Sequence, residues 1–244
     1  MNNSVNKKRH TFNGSFFIQK KKTNTVKKQK DLLNLKSFNI QNISNQTKYF
    51  CEIFKKEKNI AIWERTLDEN LIKSGQFFIN KKPFFEFSQI VKKETIEEKL
   101  ISKLGSDEEI IELIRDIKLL VIEFCDLFNL KQAWLRLDSI NKPMCPKFHT
   151  DDVVCRMVTT YIGPGTQWIP QEIVNKKIEK TDIMQLDIGH VGLLKGESWK
   201  GNQGKGLVHR SPHDSNNYKR LYLTLDFVEF YSKLNNNKLN NKIS

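Results

Sequence analysis

No two of the four cysteines, at positions 51, 125, 145 and 155, are spaced C-x-x-C. Cys145 and His149 make a C-x3-H spacing, yet no second pair completes a zinc-finger pattern. No stretch approaches the ~20 consecutive apolar residues of a membrane span, so a membrane helix is excluded. A basic start leading into an apolar core and a small-residue cleavage site is missing as well. The expectation is a cytoplasmic protein whose thiols stay reduced. No segment repeats.

Acidic residues are absent from both ends. Residues 1–30 carry nine Lys/Arg and no acid, and residues 232–244 carry three Lys and no acid. Of the formal +13, little remains between them: 29 basic face 28 acidic residues over 31–231. The high pI therefore describes the ends and not a folded basic face. Both ends are rich in Asn, Lys and Ser and lack apolar periodicity, so they cannot offset the entropy of ordering. They are read as disordered, a basic extension over 1–48 and a tail over 232–244. Interleaved aromatics and a groove-fitting helix are lacking there. Nucleic-acid or acidic-partner binding is expected, if at all, only through these termini.

Between the ends, residues 49–231 are read as one domain. Thr66 and Glu69 have capping-box spacing ahead of Leu67 and Leu71, with Gly75 as the stop. Ser106 and Glu109 repeat the box before a helix whose Ile110, Ile114, Ile117, Val121, Phe124 and Phe128 recur every three or four residues. Residues 60–130 are thus expected to be helical. After Leu130 the texture changes to short runs rich in Val, Ile, Leu, Tyr and Thr: "AWLRLDSI", "VVCRMVTTYI", "DIMQLDI", "VGLLKG" and "RLYLTLDFVEFY". Turn signals such as "GPGT" and "GNQGKG" separate several of them. Strands without intervening helices indicate an antiparallel sandwich or barrel over 131–231, giving an α+β chain.

The chemistry concentrates at "FHTDD". On an extended chain, residues two apart face the same way, so His149 and Asp151 face together with Thr150 opposed. His and carboxylate ligands bind a cation at about 2.0–2.2 Å, within reach of such a pair. Downstream, "GLVHRSP" supplies His209, and Arg220 opens the next strand eleven residues later. Two histidines and one carboxylate on a face make the facial triad of non-haem Fe(II) sites.

H-x-D, a distal histidine and a following arginine resemble the 2-oxoglutarate/Fe(II)-dependent oxygenases of the prolyl-hydroxylase type, over about 134–230. The resemblance implies a double-stranded β-helix, a cupin-like jelly roll, with the helical region packed on it. It implies that His149, Asp151 and His209 hold Fe(II), and that Arg220 grips the distal carboxylate of 2-oxoglutarate. Tyr161, on the strand parity of His149, is a further candidate for a cosubstrate hydrogen bond. The implied activity is oxidation of an unknown small-molecule or protein substrate. A second resemblance covers more of the chain: "IAIWER", "FHTDD", "TYIGPGTQW", "LLKG" and "GLVHRSP" are similar to an uncharacterised bacterial family of unknown function.

Alternatives remain open. Two His and one carboxylate also suit zinc, which would make the same barrel a zinc-binding or metal-homeostasis protein. Asp226 is a candidate partner for Arg220, and Asp152 a rival to Asp151 that strand parity disfavours. Trp168 is expected to pack as core, with Trp168 and Trp199 as candidate stacking surfaces. Arg156, Arg210 and Lys195 are candidate charges around an anionic substrate. His190 and His213 are read as turn residues.

Overall fold

The computed structural model describes residues 48–174, 176–212 and 219–228, within a compact unit spanning Ile40–Ser244. The expected disordered ends, Lys48 aside, and His213 lie outside the described residues. Three helices are long enough to pack: α1 Glu69–Lys81, α2 Ile96–Leu104 and α3 Ile111–Leu127. Nine strands accompany them among the described residues: β1 Ile60–Trp63, β2 Phe85–Val91, β3 Ala133–Ile140, β4 Cys155–Ile162, β5 Gln167–Ile169, β6 Met184–Gln185, β7 Val191–Lys195, β8 Val208–Arg210 and β9 Arg220–Asp226. The fold is α+β and its strand pairs are antiparallel. Six strands form one sheet in the order β1-β7-β4-β9-β3-β2, and three form another in the order β6-β5-β8.

The two faces of the large sheet do different jobs. Met157 and Tyr161 of β4, Leu193 of β7 and Leu221, Leu223 and Leu225 of β9 join the helices in one core. Ile110, Ile114, Ile117, Val121 and Phe124 are buried there, and Phe128 packs at the edge, as their periodicity predicts. Burying each such side chain stabilises by about 1.5–3 kcal/mol. The alternate residues point the other way. Val158 and Leu194 meet Leu186, Leu207 and Trp168 from the region of the small sheet. The space between the sheets therefore has a small apolar cluster, with polar side chains of β4 and β9 beside it.

Three sequence expectations need correction. The stretch 60–130 is not all helix: β1 and β2 lie in it and occupy the two edges of the large sheet. Neither expected capping box forms. α1 is capped by Asp68, which accepts from Leu71 N at 2.9 Å, and Asp107 turns its carboxylate to Lys81 at 2.7 Å ahead of α3. Gly75 does not end α1. It is buried at mid-helix, where an added Cβ would stand 3.4 Å from Ile162, so its small size serves helix-on-sheet packing.

Candidate metal centre

β3 leads into an irregular segment that returns to the small sheet just before β4. At its end His149 pairs with His209 of β8 as an isolated antiparallel bridge. His149 N donates to His209 O at 3.0 Å, and His209 N donates to His149 O at 2.9 Å. Residues directly opposite in such a pair share a face, which brings the rings together at 4.6 Å between centroids. Asp151 follows two residues on. Its carboxylate lies 3.2 Å from His209 Nε2 and 3.6 Å from His149 Nε2. Ligands about 2.1 Å from one cation stand about 3.0 Å apart in adjacent positions, close to what is seen.

The second ring nitrogen of each histidine settles its chemistry. His149 Nδ1 lies 2.9 Å from Lys147 O, and His209 Nδ1 lies 3.0 Å from Leu207 O. A carbonyl only accepts, so each Nδ1 carries a proton, and Nε2 is the nitrogen left facing Asp151, there to hold either a proton or a cation. Burial alone would raise the Asp151 carboxyl, but the hydrogen bond from His209 and the charge of Arg156 outweigh it and hold the group well below the usual carboxylate range. Lone pair against anion is repulsive unless a proton or a cation lies between. His209 is buried, and His149 is about one-third exposed at its side chain.

The loop carrying Asp151 is shaped by the turn after β7. Glu197 N donates to Asp151 O, Gly196 N to Val154 O and Ser198 N to Val153 O, at 2.9–3.1 Å. Ser198 Oγ takes up Asp152 at 2.5 Å, which engages that carboxylate away from the triad. Gly196 is needed for the close approach: a Cβ there would stand 2.1 Å from Val153 O and 2.8 Å from Asp151 O. Gly196→Ala is expected to cost about 1–3 kcal/mol through overpacking and to weaken metal binding with it. Thermal unfolding and metal titration of the same variant check both.

Arg220, the first residue of β9, is 2% exposed on the side of the sheet away from the helices. Its Nη2 donates to Thr160 Oγ1 at 3.1 Å and Thr166 Oγ1 at 3.0 Å, and its guanidinium lies 4.6 Å from the Tyr222 ring centre. Asp226 is not among its hydrogen-bond partners here; that carboxylate takes Arg156 in a bidentate pair. Four residues along β9 from Arg220, the buried Thr224 hydroxyl has no hydrogen-bond partner among the described residues. Asp226, Thr160, Thr166 and Thr224 were not singled out as site residues, because hydroxyls and a strand-end acid carry no spacing signature.

Other candidates fall elsewhere. Tyr161 is a correction: residues 152–154 bend, so its parity no longer follows His149, and its hydroxyl donates to Asp116 at 2.7 Å under α3. Asp116 also takes Arg65 at 2.6 Å, which pins α3 to the sheet. Lys195 donates to Lys55 O and lies against Trp199, whose ring joins Phe54 and Phe128. Arg210 stacks on Phe148 and donates to Gln167. His190 sits in a turn beside Asp187, and Trp168 packs between the sheets as expected.

Two imidazoles and one carboxylate gathered between two antiparallel sheets define a candidate mononuclear metal site; among the described residues no other group of this kind occurs. The chain belongs to the family described as protein of unknown function (DUF1826), which matches residues 44–226 and so includes every residue of the site. No curated protein matches the sequence. Several solved structures are distantly similar. A Pseudomonas putida prolyl-4-hydroxylase is 9% identical at a TM-score of 0.41, over 75% of this chain and 97% of that one. The Fe(II)/α-ketoglutarate-dependent dioxygenase TqaL is 11% identical at 0.45, over 78% and 90%. The dioxygenase for auxin oxidation 1 from Arabidopsis thaliana, in complex with 2-oxoglutarate, is 8% identical at 0.39, over 78% and 79%. No helix among the described residues is long and apolar enough to cross a membrane.

Proposed function

We propose that the protein is an Fe(II)- and 2-oxoglutarate-dependent oxygenase, its two sheets forming a double-stranded β-helix around the site. The observation that carries this reading is the pair of Nδ1–H···O=C bonds that turns both Nε2 atoms toward Asp151. The donor set fits the metal. Two neutral nitrogens and one anionic oxygen suit Fe(II) and leave coordination positions on the opposite side. Bound together, iron and 2-oxoglutarate supply dioxygen activation coupled to oxidation of a substrate.

The chain's own residues do the rest. Arg220 offers a planar fork for the distal carboxylate of the cosubstrate, and Thr160 and Thr166 hold that fork in place. The Thr224 hydroxyl, buried on the same face of β9, provides a polar contact on the inner wall. Val158, Leu186, Leu194 and Leu207 line the neighbouring space with apolar surface, which excludes water and strengthens the charged contacts. His149 is the most open of the three ligands, so substrate, whether a small molecule or a protein, approaches over it. Under anaerobic conditions, Fe(II) with 2-oxoglutarate is expected to give the weak visible charge-transfer band of a chelated iron complex. A protein that purifies with stoichiometric zinc and ignores 2-oxoglutarate would replace this reading with the zinc-binding one.

A further inference from the structure

A carboxylate can serve a metal through one oxygen or through both, and the structure treats the two oxygens of Asp151 differently. Oδ2 accepts from Arg156 Nη1 at 2.7 Å and stands 3.2 Å from His209 Nε2, whereas Oδ1 stands 3.6 Å from His149 Nε2 and takes no hydrogen bond from Arg156. Arg156 has little room to turn away. Its Nε and Nη2 donate to Asp226 Oδ1 and Oδ2 at 2.8 and 3.0 Å, a fork-on-fork pair. The two residues lie directly opposite in the β4–β9 register, in the middle of the large sheet, and Asp226 is 0% exposed. One edge of the guanidinium is thus taken by Asp226, and its remaining nitrogen reaches out to Asp151.

Asp151 needs such a hold. It stands on irregular backbone just before the 152–154 bend, where no ladder fixes the direction of its side chain. A lysine at 156 could not do the same work, because a single ammonium has no planar fork to span two carboxylates at fixed angles. The strap is therefore a link from the sheet to the one residue of the triad that stands outside any ladder.

We propose that Arg156, braced by Asp226, is a positioning residue that keeps Asp151 from closing on the metal through both oxygens, and so reserves the open positions that a chelating cosubstrate requires. The inference rests on the metal-centre reading above and adds a residue pair to it. The hydrogen bond to Oδ2 fixes how the carboxylate is turned toward the two histidines, and releasing it would let the group turn both oxygens to a metal and take a position meant for 2-oxoglutarate.

The test uses the full chain loaded with Mn(II), whose bound waters are counted by water-proton relaxation. The double variant R156Q/D226N exchanges the buried ion pair for a neutral amide pair of similar shape and leaves the net charge unchanged. Its Mn(II) affinity is expected to stay within about tenfold of the wild type, since all three ligands remain. Relaxation per bound Mn(II) is expected to fall by about a third, one of three open positions being lost. Affinity of the Mn(II) form for 2-oxoglutarate is expected to fall at least about tenfold. R156K serves as a second variant that keeps the charge, and it is expected to lose 2-oxoglutarate affinity in the same direction by less. Parallel loss of Mn(II) and 2-oxoglutarate affinity in the double variant would make the pair a support for the fold and overturn the inference. So would unchanged relaxation, or an R156K protein equal to wild type should the double variant fail to fold. A wild-type chain that binds no Mn(II) overturns the metal-centre reading itself, and this inference with it.

Discussion

Asp151→Ala is expected to abolish tight divalent-metal binding, with a loss of at least about 100-fold, or ~2.7 kcal/mol. Three effects act together. The substitution removes the anionic member of the triad. It leaves two neutral imidazoles that attract a cation only through lone pairs. It also removes the anion that separated the Arg156 guanidinium, 2.7 Å from Asp151, from the cation position. The fold is expected to survive, because Arg156 keeps its bidentate pair with Asp226. Equilibrium dialysis against Mn(II), with thermal unfolding as the control for folding, reads the two separately. Undiminished metal affinity in the variant would dissolve the proposed centre.

Arg220→Ala is expected to separate cosubstrate from metal. Loss of a buried bidentate donor to a carboxylate, with the other partner left desolvated, costs about 2–5 kcal/mol. Affinity for 2-oxoglutarate should therefore fall by about 30-fold or more, while Mn(II) affinity stays near wild type. The truncation also removes the guanidinium from Tyr222 and opens a gap beside Thr160 and Thr166. Arg220→Lys fills most of that space, keeps the charge and lacks the fork, so it should recover stability and only part of the affinity. Isothermal titration of the Mn(II) forms of both variants measures the separation. If Arg220→Ala binds 2-oxoglutarate as the wild type does, the carboxylate is held elsewhere.

The candidate ligands were legible before the fold was. H-x-D and a distal histidine are written as residue types at fixed spacing, and the structure brings all three within 4.8 Å of one another. Helix α3 was legible for a similar reason, since 17 residues give enough turns for a 3.6-residue period to show. β1 was not, because four residues whose two faces both meet apolar neighbours display no alternation. β2 does alternate, with Phe85, Phe87, Gln89 and Val91 on one side, and was hidden only by the helical patterns around it. Tyr161 was misplaced because parity counting assumes an unbroken strand, and the 152–154 bend breaks it. The Arg156–Asp226 brace was invisible for a deeper reason: a cross-strand ion pair depends on register, and register is set by the whole sheet.

The reciprocal backbone bonds between His149 and His209 have a consequence for biosynthesis. About sixty residues separate the two ligands, so a chain emerging from the ribosome exposes His149 and Asp151 well before their partner is made. The centre cannot be completed during synthesis of its first half, and a product truncated ahead of β8 would hold only an open pair of donors. Loading of the proposed metal centre would then follow chain closure, and the zipper between the two segments would act as the clasp that decides when the vessel is ready to be filled.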